Sequence, residues 1–177
     1  MYCCVDLNKI KYGKGVTLDA PIQWGRPLIL EFVPGKNYRR RLPYTGLVKI
    51  GDYTWFGCGV MIEVGGFRTT TIGEHCWIDH YAIIAHDVEI GDRTIIGPNV
   101  ILLGEVVIGN DCHIAAGAVI QPKVKIGNRC LIGNNTVITK DVPDGWIVFR
   151  KGELVTKPNK WYPPNSDYDT TAHHRCF

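Results

Sequence analysis

The sequence predicts an all-β protein whose short strands wind into a three-sided parallel β-helix, and three observations predict it. The dipeptide Ile-Gly recurs at 72, 90, 108 and 126, a period of 18. Inside that period runs one of six: Ile72, Ile78, Ile84, Ile90, Ile96, Leu102, Ile108, Ile114, Ile120, Ile126, Ile132 and Ile138 are in register and all Ile or Leu. Four residues after each comes a small or β-branched residue, from Cys76, Ala82 and Val88 through Ala118 and Val124 to Thr136 and Val142. Both positions are expected to face inward. A six-residue unit is too short for a helical hairpin and suits one short strand plus a corner, so three units make an 18-residue triangular coil.

The elements follow in chain order. Residues 5–30 form an irregular first coil, in which Tyr12, Leu18, Trp24 and Leu30 carry a ragged form of the six-residue period. The stretch 31–46, "EFVPGKNYRRRLPYTG", breaks the period and is expected to protrude as a loop. Regular coils run over 47–145, beginning at Ile50, Phe56 and Ile62 and slipping by four residues across "EVGGFRTTT". "WIVFRKGELV", 146–155, reads as a hairpin turning at Lys151-Gly152 that covers an open strand edge, and the hairpin element extends to 156. Residues 1–156 therefore make one domain, and 157–177, rich in Pro, Asn and Asp, make a C-terminal tail.

Composition narrows the function classes. The chain of 177 residues is 45% apolar and 21% charged, enough for one globular core. Its opening "MYCCVDLNKIKYGKG" has no basic stretch followed by an apolar run, and no apolar run approaches spanning length, so a soluble, cytoplasmic protein without a membrane span is expected. Seven cysteines without C-x-x-C spacing point to neither a disulfide framework nor zinc. Cys76, Cys112 and Cys130 fall in one column at multiples of 18 and read as small core residues. A net charge of +3 is too small to suggest nucleic acid. Its distribution is uneven: residues 71–120 carry acidic side chains and one basic residue, Arg93, whereas 121–160 are basic, with Lys123, Lys140 and Arg150 among them. The basic end suits phosphates.

Against this frame "IIAHDVEIGD", 83–92, places a titratable pair, His86 and Asp87, at a corner. His86 lies two residues after inward-facing Ile84, so its side chain points out of the prism. A neutral imidazole is a serviceable general base, and an adjacent carboxylate holds its tautomer or stabilises the imidazolium. The residue 18 further on is Gly104, one strand spacing away at roughly 4.8 Å. Only glycine leaves the backbone N–H there unobstructed. A base beside an open amide is what acyl transfer to an amine or hydroxyl needs, one to remove the proton and the other to hold the tetrahedral oxyanion.

The repeats "IGDRTI", "IGNDCHI" and "IGNRCLIGNNTVI" resemble the left-handed β-helix of the hexapeptide acyltransferases over about residues 47–145. The left hand is implied by that resemblance, since parallel crossovers are ordinarily right-handed. "IAHDVEIGDR" followed by "GPNVILLGEVVIG" resembles the catalytic stretch of sugar N-acetyltransferases and of lipid A acyltransferases. The resemblance implies His86 as base, Gly104 as oxyanion donor and Asp87 as the group that orients His86. "VITKDVPDG", 137–145, resembles the last coil of acetyl-CoA-dependent members, implying acetyl-CoA as donor. The Gly-Asn-Pro-Ala-Lys stretch that usually follows is replaced by "FRKGELV". Lys123, Lys140 and Arg150 are the expected phosphate contacts, and Ala115, Ala116, Gly133 and Asn134 leave room for the pantetheine arm. A homotrimer is implied, because members of the family build each site between adjacent prisms.

For the acceptor, a sugar or nucleotide-sugar, Asp79 and His80 in the acidic middle suit an amine, and Arg39 and Arg40 in the loop suit a diphosphate. No metal is expected: His80 and His86 occupy successive corners, roughly 15–20 Å apart. A γ-class carbonic anhydrase needs histidines five apart and a third two coils upstream, which this sequence lacks. The remaining alternative is a non-enzymatic β-helix used for assembly.

Overall fold

The computed structural model describes residues 7–25, 30–32, 39–41, 45–151 and 153–158. Three parallel sheets make the faces of a prism. Face A runs from Ile10–Tyr12 through Val48–Ile50, Thr70–Ile72, Glu89–Ile90 and Val107–Ile108 to Lys125–Ile126. Face B runs from Thr17–Leu18 through Trp55–Phe56, Trp77–Ile78, Ile95–Ile96 and His113–Ile114 to Leu131–Ile132. Face C runs from Gln23–Gly25 through Met61–Glu63, Ile83–Ile84, Ile101–Leu102 and Val119–Ile120 to Val137–Ile138. The chain visits A, B and C in turn, and this is the left-handed β-helix expected from the sequence.

Both inward series are buried as the period requires. Ile78, Ile84, Ile96, Leu102, Ile114, Ile120 and Ile132 are sealed in the core, and so are Ala82, Val88, Val100, Val106 and Ala118. Between the inward residues each corner needs one residue in the left-handed backbone region. His75, Tyr81, Asp87, Arg93, Asn99, Glu105, Asp111, Lys123, Arg129 and Asn135 all have φ between 52° and 66°. Such a conformation is uncommon outside Gly, Asn and Asp, and the stacked coil enforces it here.

The cysteine column shows why those positions hold small residues with a donor. Cys76, Cys112 and Cys130 are buried, and their thiols donate to the carbonyls of Gly91, Gly127 and Pro143 at 3.1, 2.9 and 3.0 Å. Thr54 and Thr94 in the same column do so with hydroxyls, to Gly73 and Gly109. The column thus satisfies buried corner carbonyls.

Register records the irregularities. Regular coils pair at 18, as Ile83 with Ile101 does, but Met61 pairs with Ile83 and Val48 with Thr70, which places the four extra residues just before Thr70. The first coil joins at Ile10 with Val48, Thr17 with Trp55 and Gln23 with Met61. Leu30 does not continue that coil. Leu30–Phe32 pairs antiparallel with Arg39–Arg41, so the protruding segment carries a short ribbon, because a chain that has left the prism still needs partners for its backbone groups. At the other end Trp146–Lys151 adds to face B through Ile147 on Leu131, and Glu153–Pro158 turns back along it. Residues 159–177 of the expected tail lie outside the described residues.

Candidate active site

His86 and Asp87 stand at the corner between faces C and A, and the four-residue slip builds their surroundings. Asp87 has a left-handed φ of 60° and a side chain only 3% exposed. The loop Gly65–Arg68 covers it. The Asp87 carboxylate accepts the Phe67 N–H at 3.2 Å and the Arg68 N–H at 2.8 Å, and its Oδ2 lies 3.1 Å from His86 Nδ1. Two backbone N–H donors hold the carboxylate still, and the acceptor-only carboxylate defines the His86 tautomer: Nδ1 carries the proton and Nε2 the lone pair.

The backbone of the pair is fastened as well. The His86 N–H donates to Glu63 Oε2 at 3.0 Å, and the Asp87 N–H donates to the Thr70 hydroxyl, which in turn donates to the Glu63 carbonyl at 3.1 Å. Glu63 and Thr70 are the two ends of the slip, so the extra residues clasp the corner from the coil below. Burial is the main cause that pushes the Glu63 carboxyl above the ordinary carboxylate range, opposed by its bond to the His86 N–H.

Gly104 meets the other side of the ring. A Cβ placed on Gly104 would lie 2.7 Å from His86 Nε2 and 2.8 Å from Cε1, so the imidazole rests against the glycine backbone. The Gly104 N–H has no hydrogen-bond partner among the described residues. The corner between faces A and B differs. Where face A turns toward face B, the N–H groups of Glu74, Asp92, Asn110 and Asn128 are each capped by the Asp or Asn side chain one coil on. The residue one coil beyond Gly104 is Pro122, which has no such oxygen. A proton acceptor and an open amide therefore sit together on one corner.

The other expected residues divide between two corners. Lys123 and Lys140 share the corner of His86: the Lys123 N–H donates to the Gly104 carbonyl, and its ammonium is 3.7 Å from Glu105. Lys140 lies in the His86 column beside a cavity of about 440 Å³ that Ile138, Asp141, Val142, Trp146 and Val148 help to line. Asp79, His80, Ala115, Ala116, Gly133 and Asn134 occupy the corner between faces B and C, across the width of face C. His80 is engaged there: its Nδ1 accepts the Cys58 N–H at 2.8 Å, and Asp79 accepts the His80 N–H at 2.7 Å. Arg39 and Arg40 fall in the ribbon strand, and their side chains, like that of Arg150, lie outside the described residues. Among the described residues no three His, Cys, Asp or Glu side chains gather where a metal would be held, and no helix is long and apolar enough to cross a membrane.

The sequence reading missed Glu63, Thr70, the loop amides and the missing cap at Pro122. A slip of four residues one coil below a corner histidine was the available signal.

Comparison with known proteins agrees with this architecture. The family model described as "Bacterial transferase hexapeptide (six repeats)" matches residues 69–104 and 105–140, and that described as "Hexapeptide repeat of succinyl-transferase" matches 87–122. A UDP-3-O-acylglucosamine N-acyltransferase of Leptospira biflexa is 35% identical over 75 residues, 42% of this chain and 21% of that protein. This chain thus covers about a fifth of that relative. Among solved structures, PerB of Caulobacter crescentus, determined with CoA and GDP-perosamine, superposes with a TM-score of 0.56 at 26% identity, over 62% of this chain and 51% of that one. LpxA of Bacteroides fragilis, a UDP-N-acetylglucosamine acyltransferase, shares the fold with a TM-score of 0.67 at 22% identity, over 85% and 56% of the two chains.

Proposed function

We propose that the chain, which matches hexapeptide transferase models over residues 69–140, is an acyltransferase of that hexapeptide-repeat type and transfers an acetyl group from acetyl-CoA to an amino or hydroxyl group of a sugar or nucleotide-sugar. The observation that carries the reading is the corner where His86, oriented by Asp87 at 3.1 Å, rests against the uncapped amide of Gly104. A β-helix serving only for assembly could use the Asp87 carboxylate to hold the loop amides, but it has no need of a histidine oriented by that carboxylate beside an open amide.

Each residue has a defined task. His86 Nε2 takes the proton from the acceptor as its nitrogen or oxygen attacks the thioester carbonyl, and Asp87 stabilises the imidazolium that results. The carbonyl oxygen becomes an oxyanion, which the Gly104 N–H receives. Collapse of the tetrahedral centre breaks the C–S bond, and the proton on His86 passes to the departing thiolate. PerB, the structural relative with CoA bound, supports the choice of donor.

The donor lies toward the C-terminal coils, where Lys123 and Lys140 follow Gly104 along its corner. The cavity beside Lys140, walled by Trp146, has the size and apolar character to take the adenine end. Ala115, Ala116, Gly133 and Asn134 belong to the other corner, so they reach the same donor only from a second copy of the chain. From the second coil on, the outward residues of face C between the two corners, Met61, Ile83, Ile101, Val119 and Val137, are apolar, as a self-association surface requires. This arrangement supports a homotrimer with one site per groove. Mass-spectrometric detection of acetylated product across amino-sugar and nucleotide-sugar acceptors, comparing wild type with His86→Ala, tests the reading. Equal turnover by the two proteins refutes it.

A further inference from the structure

The corner has a direction. Gly104 and the lysines that follow it lie on the C-terminal side of His86, the side given above to the donor, which leaves the front and the N-terminal side of the corner for the acceptor. The residues waiting there belong to the slip. Phe67 is 60% exposed, among the most exposed large apolar side chains described, and it is next to the carboxylate that orients the base.

The loop that presents it is fixed at every point described. Phe67 and Arg68 N–H groups are bound by Asp87. Thr70 closes the loop on the Glu63 carbonyl. Gly46 and Gly65 pack so tightly against the Arg68 carbonyl that no side chain fits at either. The Arg68 guanidinium reaches along the corner to Glu89 at 3.4 Å and Glu105 at 3.8 Å, tying the loop to the coil of His86 and to that of Gly104. A loop so restrained holds its one aromatic ring in place at little further entropic cost on binding.

We propose that Phe67 is the platform for the acceptor's sugar ring, making the 65–68 loop an acceptor subsite on the N-terminal side of His86. The ligand class is a hexose with an apolar ring face, whose C–H groups pack on the phenyl ring while its amine or hydroxyl faces Nε2. Glu63, half-buried beneath the same corner, gives the subsite a negative group suited to an amine. This inference rests on the acyl-transfer reading above, but its test can fail separately.

The test uses the full-length protein and methyl glucosaminide as probe, with saturation-transfer NMR for binding and product mass for turnover. Wild type is expected to transfer saturation to the sugar ring protons. Phe67→Ala is expected to weaken binding and raise the acceptor KM by about three- to tenfold, the worth of a stacked aromatic contact, with the acetyl-CoA KM unchanged. Phe67→Trp is expected to restore binding, which a merely structural role would not predict. No transfer from wild type, transfer undiminished in Phe67→Ala, or a loss traced by light scattering to disassembly of a Phe67-dependent oligomer would each overturn the subsite. Binding that depends on Phe67 without acetyl-CoA turnover leaves the subsite standing and removes the acyl-transfer reading instead.

Discussion

Asp87 Oδ2 lies 3.1 Å from His86 Nδ1, and the same carboxylate accepts the backbone N–H groups of Phe67 and Arg68. One side chain therefore joins the base to the loop below it, so its removal must disturb both chemistry and structure. Asp87→Ala is expected to lower turnover by roughly two orders of magnitude, between the value of an outer orienting partner and that of a triad acid. It should also cost about 1–3 kcal/mol of stability, because two loop amides lose their acceptor. Turnover assays beside chemical denaturation measure the two losses. A loss of activity without any loss of stability would contradict the clamp.

Gly104 and His86 should fail together. His86→Ala removes the base and is expected to cost about 10²–10⁴-fold in turnover, with acetyl-CoA affinity retained. Gly104→Ala is expected to come close to it for a second reason besides the amide. The new methyl would stand 2.7 Å from Nε2 and force the ring aside. Gly104 has no left-handed φ to preserve, so the variant should still fold, its melting temperature lowered only by the displacement of the His86 ring. Steady-state kinetics of both variants decide the matter, and wild-type turnover by Gly104→Ala would remove the oxyanion role.

Much of this was legible in the sequence, for a physical reason. A β-helix stacks equivalent residues at one spacing, so columns can be read by adding 18, and the neighbourhood of His86 and Gly104 follows from arithmetic. Arithmetic fails where the period does. Glu63 contacts His86 across 23 residues and Phe67 contacts Asp87 across 20, separations that only the slip produces. Leu30 misled for the opposite reason: it kept an apolar position in phase after the chain had left the prism for its own ribbon. Asp79 and His80 looked available because they stand on a corner. In the structure both already cap corner amides, and no sequence rule foretells which way a corner side chain turns.

Face C predicts its own disruption. Ile101 projects outward at the middle of its apolar column, flanked by Ile83 and Val119. Ile101→Asp leaves the inward residue Leu102 untouched, so the prism should stay folded while the proposed trimer separates into monomers. Light scattering is expected to show that change, together with a loss of turnover, since the contacts proposed for Ala115, Ala116, Gly133 and Asn134 would come from the neighbouring copy. A monomeric wild type would refute the shared site.

The core thiols should be silent. Burial pushes the Cys76 thiol up to about 12, and that of Cys112 is raised first by its hydrogen bond with Cys130 and then by burial, so both are protonated at neutral pH. Site-resolved alkylation of the native protein is expected to leave Cys76 and Cys112 unmodified and to label them fully in denaturant. Rapid native labelling of either would mean that the coils open far more readily than their packing implies.

The last prediction concerns pH and separates Glu63 from its neighbours. Burial raises its folded carboxyl above the unfolded value, opposed by the hydrogen bond from the His86 N–H. A raised acid binds its proton more tightly in the folded state, so between the unfolded and folded values the native protein holds more proton than the unfolded chain. Stability then declines as pH rises through that window, just above the ordinary carboxylate range, and the penalty persists at neutral pH. Glu63→Gln keeps an oxygen to accept the His86 N–H but cannot ionise. Its melting temperature relative to wild type should therefore increase from acid to neutral pH, by a modest amount because the group is only half-buried. Paired thermal melts across that range measure the difference. A difference that stays flat or falls with pH would show that the Glu63 carboxylate is stabilised in place, most simply by a cation held against it.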